Sequence, residues 1–276
     1  MYKKRVFLVE NLSPLHVGSG EANFGVIDNM VQRDEITEYP IIHSSSLKGA
    51  LREFSEYMFN MKNEHNGGLK NFLGNIFGDE DKSGNVKFLD AHLIALPLRA
   101  ETTSYVMGVS ADSIKNFVEM TTRMGVKLDI NLEEFTKDVD SIISNIQTNI
   151  EDTNTIVEDK NWEVLQQLLD EENIALIPNK KFKEYVKELP VIARNQLENG
   201  TSKNLFYEEI VPRKSKFFTI MMFPEFLNQS DKAVLSSHYD KFLEYITSSE
   251  VLPQIGANAS IGYGICRFKE LVWKKE

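Results

Sequence analysis

A group of serine and basic side chains at the start of a predicted helix is the first candidate for chemistry. Ser44, Ser45 and Ser46 precede apolar residues that recur at helical spacing, namely Leu47, Ala50, Leu51, Phe54, Tyr57, Met58 and Met61. A serine there is expected to be the N-cap, and Lys48 and Arg52 lie on one side of the helix. Hydroxyls, free amides and two cations at a helix start suit a phosphate. The alternative is an ordinary capped helix with two solvated cations.

A glycine-rich segment, residues 255–264, is the second candidate for phosphate binding. It contains Gly256, Asn258, Gly262, Tyr263 and Gly264. Its glycines permit close backbone approach and positive φ angles. The glycine spacing is not that of a dinucleotide-binding fingerprint, and no Walker lysine follows. Taken alone, the segment is interpreted as a tight turn before an inner strand.

Two loop residues could carry acid–base chemistry, although each has a structural alternative. His16 lies beside a glycine turn and could be a general base or a phosphate contact, but a lone loop histidine is more often neither. Asp28 lies among small and apolar residues, where it could simply form an Asx turn. One cysteine and five scattered histidines do not supply a zinc pattern.

The elements that must position these residues predict an α+β fold. Strands are expected at 5–10, 86–99, 189–194, 205–211, 217–223 and 265–273, and helices at 44–61, 72–78, 111–124 and about 230–247. A polar loop is expected at 195–204. This order predicts helices on one face of a largely antiparallel sheet, in a modified ferredoxin-like arrangement.

Charge is distributed unevenly along the 276 residues. The net charge is −10, but the segment from Asp129 to Asn173 holds 13 acidic and two basic residues and carries −11, which leaves +1 for all other residues. The chain is therefore predicted to be a single domain, 1–276, with an acidic helical insertion at 129–173 and a surface elsewhere that can face nucleic acid. The short apolar run at 6–9 and the single cysteine predict a cytoplasmic protein without a membrane span.

Three blocks of sequence together resemble the RAMP superfamily of CRISPR proteins. The N-terminal block comprises residues 14–20, 25–28, 32–33, 40 and 44–52, and the C-terminal block is the glycine-rich segment. Residues 189–195 and 205–212 narrow the resemblance to the repeated backbone subunits of type III-B Cmr effector complexes. Ala257 is a mild departure, because a second glycine is usual at that point.

The resemblance implies an RRM-like core with a thumb hairpin and a set of RNA contacts. Copies of the chain would stack along a guide RNA with other Cmr subunits, and each copy would cut a paired target RNA once, so that cuts recur at regular intervals. Asp28 matches the family's cutting aspartate, and His16, Glu208 and Glu209 fall in its cleavage region. The glycine-rich segment, Lys48 and Arg52 match contacts to the guide backbone.

Metal binding is the role favoured for Asp28. A free aspartate has a pKa of ~3.9, which makes it a poor base at neutral pH. A divalent ion such as Mg²⁺ or Mn²⁺ at Asp28 would activate the 2′-hydroxyl and stabilise the phosphorane.

Two other functions remain open from the sequence. The chain could be a non-catalytic RNA-binding scaffold, in which Asp28 is idle. It could also be a repeat-processing endoribonuclease that matures guide RNA with His16 as the base. The thumb-like insertion favours a stacking subunit over the last of these.

Overall fold

The computed structural model describes most of the chain. The described residues are 1–20, 26–62, 68–100, 103–126, 160–198, 201–225 and 229–272. The greater part of the acidic segment, residues 129–159, lies outside them. In the described part, no helix is long and apolar enough to cross a membrane.

Ten strands and six helices make up the described fold. The strands are β1 (Tyr2–Asn11), β2 (Ile41–Ile42), β3 (Lys87–Phe88), β4 (Ala91–Leu98), β5 (Val106–Val109), β6 (Ile174–Leu176), β7 (Val191–Glu198), β8 (Thr201–Glu209), β9 (Lys216–Pro224) and β10 (Cys266–Leu271). The helices are α1 (Ser44–Met61), α2 (Leu69–Phe77), α3 (Ala111–Arg123), α4 (Lys160–Leu169), α5 (Asn179–Lys187) and α6 (Gln229–Ile246). The fold class predicted from the sequence, α+β with an antiparallel sheet, is confirmed.

The main sheet has the strand order β10-β1-β9-β4-β5-β6. Its first four strands, β10, β1, β9 and β4, are antiparallel to their neighbours. In the chain, α1 and α2 lie between β1 and β4, and α6 lies between β9 and β10, so the four strands form two strand-helix-strand units. This order is compatible with the predicted ferredoxin-like arrangement. The parallel pair β5–β6 extends the sheet at the far edge.

Helices cover both faces of this sheet, so the prediction that they lie on one face is wrong. Side chains of β1 alternate between two cores: Phe7 and Val9 pack with α1, α2 and α6, whereas Val6 and Leu8 pack with α3 and α4. A strand buried on both faces has a continuous apolar sequence, as the run at 6–9 does. The end of the acidic segment thus belongs to the second core through Leu165 of α4.

Strands β7 and β8 form a separate two-stranded hairpin that matches the predicted thumb. Both strands are longer than predicted, because the polar residues expected to form a loop at 195–204 are mostly paired, as in Gln196 with Asn204. A two-stranded hairpin that leaves the core needs no apolar alternation where both of its faces meet solvent.

The division of the chain into one domain, 1–276, with an acidic insertion at 129–173 stays a prediction.

Candidate nucleic-acid interface

The loop that carries Asp28 is attached to the hairpin by backbone hydrogen bonds. The N–H groups of Asp28 and Asn29 both donate to the Tyr207 carbonyl at 3.1 Å, and the Glu209 N–H donates to the Asn29 carbonyl at 2.9 Å. The Asp28 Oδ2 atom accepts from the Tyr207 N–H at 2.7 Å. Asp28 is nevertheless exposed. These bonds therefore hold an accessible carboxylate at the edge of β8.

Glu208, the next residue of β8, is buried in an ionic network. Arg194 Nε donates to its Oε2 atom at 2.7 Å, and Asn258 Nδ2 donates to both carboxylate oxygens at 3.0 and 2.9 Å. His16 Nε2 lies 3.7 Å from Glu208 Oε1. A buried charge is tolerated only when it is paired and hydrogen-bonded. Glu208 therefore links the two hairpin strands to the glycine-rich segment.

Glu209 is buried in a second network on the other side of β8. Its carboxylate accepts from the Val31 N–H at 3.0 Å and from Arg33 Nη2 at 2.5 Å. The carbonyl of Glu209 accepts from His16 Nδ1 at 2.7 Å. Arg33 also donates to the Val186 carbonyl at 2.7 Å, which ties the loop to α5.

Burial separates these groups from Asp28. His16, Glu208 and Glu209 are 4%, 4% and 1% exposed, so an RNA oxygen has no open path to their side chains in this conformation. A direct part in cleavage stays a prediction for all three, and the geometry favours positioning. Adjacent glutamates before an apolar pair predict nearby counter-charges, and that pattern could have identified Arg33 and Arg194 from the sequence.

The glycine-rich segment packs tightly on the N-terminal segment. Gly256 has φ +84°, and a Cβ there would lie 2.3 Å from the His16 carbonyl oxygen. Gly264 has φ +71°, and a Cβ would lie 1.9 Å from the Ile255 carbonyl oxygen. The N–H of Gly264 donates to the Pro14 carbonyl at 2.8 Å. These two glycines are thus required by close backbone packing.

Most backbone amides of this segment are already paired within the protein. The Ile261 and Tyr263 N–H groups donate to the Asn258 carbonyl, and the Gly262 N–H donates to the Ala259 carbonyl. Among the predicted RNA contacts of the segment, Gly264 is buried and the Asn258 amide is held by Glu208. The accessible groups are the exposed Gly256 and Gly262 and the partly exposed ring of Tyr263.

The start of α1 differs from the prediction in its cap. His43 occupies the N-cap position without a side-chain hydrogen bond, so the predicted serine cap is wrong. Asp90 Oδ1 instead accepts from the Ser44 N–H at 2.6 Å, and Gln32 Oε1 accepts from the His43 N–H at 2.9 Å. Side chains from other parts of the chain therefore satisfy amides that a local serine was expected to satisfy.

Gln32 joins this helix start to the loop on the hairpin side. Its Nε2 atom donates to Ser46 Oγ at 3.1 Å and to the Gly18 carbonyl at 3.2 Å. Ser46 is therefore engaged, whereas Ser45 is exposed. Gln32 was not predicted to be a site residue, since its contacts depend on the tertiary fold.

The two cations of α1 have different surroundings. Arg52 Nη1 donates to the Gly78 carbonyl at 2.6 Å, so this side chain stabilises the end of α2 and is not a solvated cation. Lys48 is half-buried and makes no hydrogen bond or ion pair with the residues that the structure describes. Lys48 is thus the better candidate of the two for a phosphate contact.

Asp28 does not belong to a preformed metal site in the described residues. Among them there is no group of three or more His, Cys, Asp or Glu side chains that could hold a metal ion. One Asp28 oxygen is also engaged by Tyr207. The residues that the structure describes therefore do not by themselves fit a divalent ion at Asp28.

The fold of this chain is shared with solved structures of Cmr4 proteins and Cmr complexes. The structure aligns with a type III-B Cmr-beta complex bound to cognate target RNA (cryo-EM; TM-score 0.66, 20% identity, 97% of each chain) and with oligomeric Cmr4 from Pyrococcus furiosus (crystal structure; TM-score 0.62, 19% identity, 99% and 100%). At these identities the likeness shows the fold alone.

Sequence comparison then identifies the family. The profile of the RAMP superfamily matches residues 8–267, and the chain belongs to that superfamily. It is 25% identical over 284 residues to the P. furiosus CRISPR system Cmr endoribonuclease Cmr4, covering 93% of this chain and 92% of the relative. The resemblance predicted from the sequence is confirmed.

Proposed function

We propose that this chain is a guide-RNA-binding backbone subunit of a type III-B CRISPR effector and an endoribonuclease. Its relative from P. furiosus is named a Cmr endoribonuclease, and the structural neighbours include a complex with target RNA and an oligomeric form. The partners are then guide RNA, complementary target RNA, further copies of the chain and other Cmr subunits. In the finer proposal each copy makes one cut, so that cuts recur at regular intervals.

The exposed carboxylate of Asp28 carries the proposal. It stands at the foot of a hairpin in a loop fixed by four hydrogen bonds to β8. Positioning contributes most of the acceleration when RNA is cut by its own 2′-hydroxyl, because the phosphate must be held in line. A fixed carboxylate at that point can accept the hydrogen bond of the 2′-hydroxyl and orient its oxygen towards the phosphorus.

Divalent-metal dependence stays a separate proposal. A metal ion would activate the hydroxyl and neutralise charge on the phosphate. Because the described residues supply no complete ligand set, further ligands would have to come from outside them, for example from RNA or another chain. Cleavage by wild-type complex with and without chelator measures this directly, and full activity in excess chelator would contradict it.

Asp28→Asn tests the assignment of the cutting residue. It keeps the size and removes the charge, so assembly, guide binding and target binding should remain while cleavage falls by roughly 10²-fold or more. Glu35→Gln is the matched control, because Glu35 is an exposed carboxylate in the same segment. A target-cleavage ladder from an intact Asp28→Asn complex would move the chemistry to another residue.

The same experiment separates the alternatives. A filament that binds target without any wild-type cuts identifies a non-catalytic scaffold. Cleavage of precursor repeats would indicate guide maturation, but the 4% exposure of His16 gives that function no support.

A further inference from the structure

A cleft of about 610 Å³ lies at the foot of the hairpin, apart from Asp28 and the glycine-rich segment. The end of β4, the start of β5, the end of α5 and the turn after β8 surround it. Pro190, just before β7, and Pro212, just after the hairpin, both line it. Asp28 instead contacts Tyr207, within β8. No residue of the loop that carries Asp28 is among the described residues that line the cleft.

Cations dominate the rim of this cleft. Arg99, Arg213 and Lys214 line it, and Glu188 is the one acidic residue among its described lining. Arg99 and Arg213 are exposed, and neither makes a hydrogen bond or ion pair with the part of the chain that the structure describes. Two guanidinium groups are thus available to a ligand with negative charge.

The third cation, Lys214, has a left-handed backbone conformation and a side chain that contacts Tyr105. Lys214 has φ +75°, a left-handed conformation that side chains with a Cβ disfavour. Its Nζ atom donates to the Tyr105 hydroxyl at 2.8 Å and lies 4.5 Å from the centre of that ring. The hydrogen bond to Tyr105 raises the pKa of Lys214, so the amine stays charged at neutral pH.

Two partly exposed tyrosine rings complete the lining. The Tyr105 hydroxyl donates to the Glu171 carboxylate at 3.1 Å, which fixes the ring. Tyr185 also lines the cleft, and Lys181 Nζ lies 5.2 Å from the centre of its ring. Fixed aromatic faces beside cations are the combination that binds single-stranded nucleic acid without sequence preference.

We propose that this cleft binds single-stranded RNA, with a base against the tyrosine rings and phosphates at Arg99 and Arg213. The cleft volume is within the range of small-ligand sites and suits one or two nucleotides. This inference rests on the proposed function, because it assigns a further contact for the same RNA. An acidic peptide of a neighbouring protein would meet the same cations, but it makes no use of two fixed aromatic faces.

The test measures binding of a labelled oligouridine by fluorescence anisotropy over a range of salt. Arg99→Ala/Arg213→Ala should weaken binding about tenfold or more and reduce the log–log salt slope by about 1.4, as expected for two phosphates of a single strand. Lys70→Ala/Lys87→Ala is the control, since both lysines are exposed on α2 and β3 and the same charge is removed. Thermal melting should show all four positions to be dispensable for folding.

A second variant tests the aromatic contact. Tyr185→Leu should weaken binding of oligouridine roughly tenfold but leave binding of an abasic oligomer of equal length unchanged. Equal loss for both ligands would overturn base stacking in the cleft.

Three further outcomes would overturn the proposal. If wild-type protein binds RNA and the arginine variant shows the same RNA affinity and salt slope, the cleft is not an RNA-binding site. The proposed function would be unaffected by that result. Unchanged RNA binding with loss of self-association in sedimentation would show a protein interface instead. Failure of the wild-type protein to bind any RNA would overturn both proposals.

Discussion

The start of α1 and the glycine-rich segment both carry the sequence features of a phosphate site. They differ in whether their polar groups are already hydrogen-bonded within the protein. In the glycine-rich segment, the amides of Ile261, Gly262 and Tyr263 bond within the loop, and Gly264 bonds to Pro14. At α1, Lys48 has no described partner and Ser45 is exposed. Glycines that allow close packing and glycines that allow anion binding look alike in a sequence, and the partners of their amides distinguish the two.

The largest expected effect comes from Gly264, where packing should decide stability. Gly264→Ala requires a left-handed backbone and places Cβ 1.9 Å from the Ile255 carbonyl oxygen, so it should lower the free energy of unfolding by roughly 2–5 kcal/mol. Gly262→Ala is the control, because Gly262 has φ +78° but nothing within 4 Å of the added carbon. It should cost about 1 kcal/mol.

Urea denaturation of both variants provides the measurement. Equal, small losses would show that the loop around Gly264 moves easily. In that case the glycines would again be candidates for anion contact.

A charge placed inside the network around Glu208 tests the same segment. Asn258→Asp replaces a donor to both Glu208 oxygens by a second carboxylate, which should cost roughly 2–4 kcal/mol at neutral pH. Repulsion raises the pKa of the carboxyl pair, so the penalty should shrink as pH falls and one of them is protonated. A difference from wild type that does not change between pH 7 and pH 4 would contradict this account.

The two cations of α1 should affect different measurements: Arg52 the stability of the protein, and Lys48 the salt dependence of RNA binding. Arg52→Ala breaks the hydrogen bond to Gly78 and should cost about 1.5–3 kcal/mol of stability, with the salt slope of RNA binding unchanged. Lys48→Ala should leave stability within ~0.5 kcal/mol and reduce that slope by about 0.7–0.9. A slope that falls in the Arg52 variant alone would reverse the comparison.

The smallest effect is expected in the turn before α1. Burial raises the pKa of Asp34, but hydrogen bonds from Thr37 outweigh it and hold that pKa below 3.8. A lowered folded-state pKa contributes stability above the unfolded-state value, which is lost as pH falls through the folded value. Asp34→Asn should therefore cost less than ~1 kcal/mol at pH 7, and the difference from wild type should shrink as pH falls below 3.8 and through the lowered folded-state pKa of Asp34.

Periodicity predicted the longest helices and the central strands, but β2, β5, β6 and α5 were not predicted, because elements this short carry few repeats of an apolar period. The apolar face of α1 and the position of β1 follow from spacing alone, and the resemblance supplied Asp28. The length of the hairpin was missed because exposed strands such as residues 201–205 lack alternation. The Asp90 cap on Ser44 and the Gln32 bridge depend on residues 46 and 14 positions from their partners, so no local pattern encodes them.

The parallel pairing of β5 with β6 has a consequence for evolution. The chain leaves β5, passes through α3 and the acidic segment, and returns through α4 to the adjacent strand. Both ends of this excursion are anchored side by side, so its length can change at a loop-closure cost that grows only with the logarithm of length. Lineages can therefore lengthen, shorten or recharge residues 127–159 while the pairing of β5 with β6 is kept.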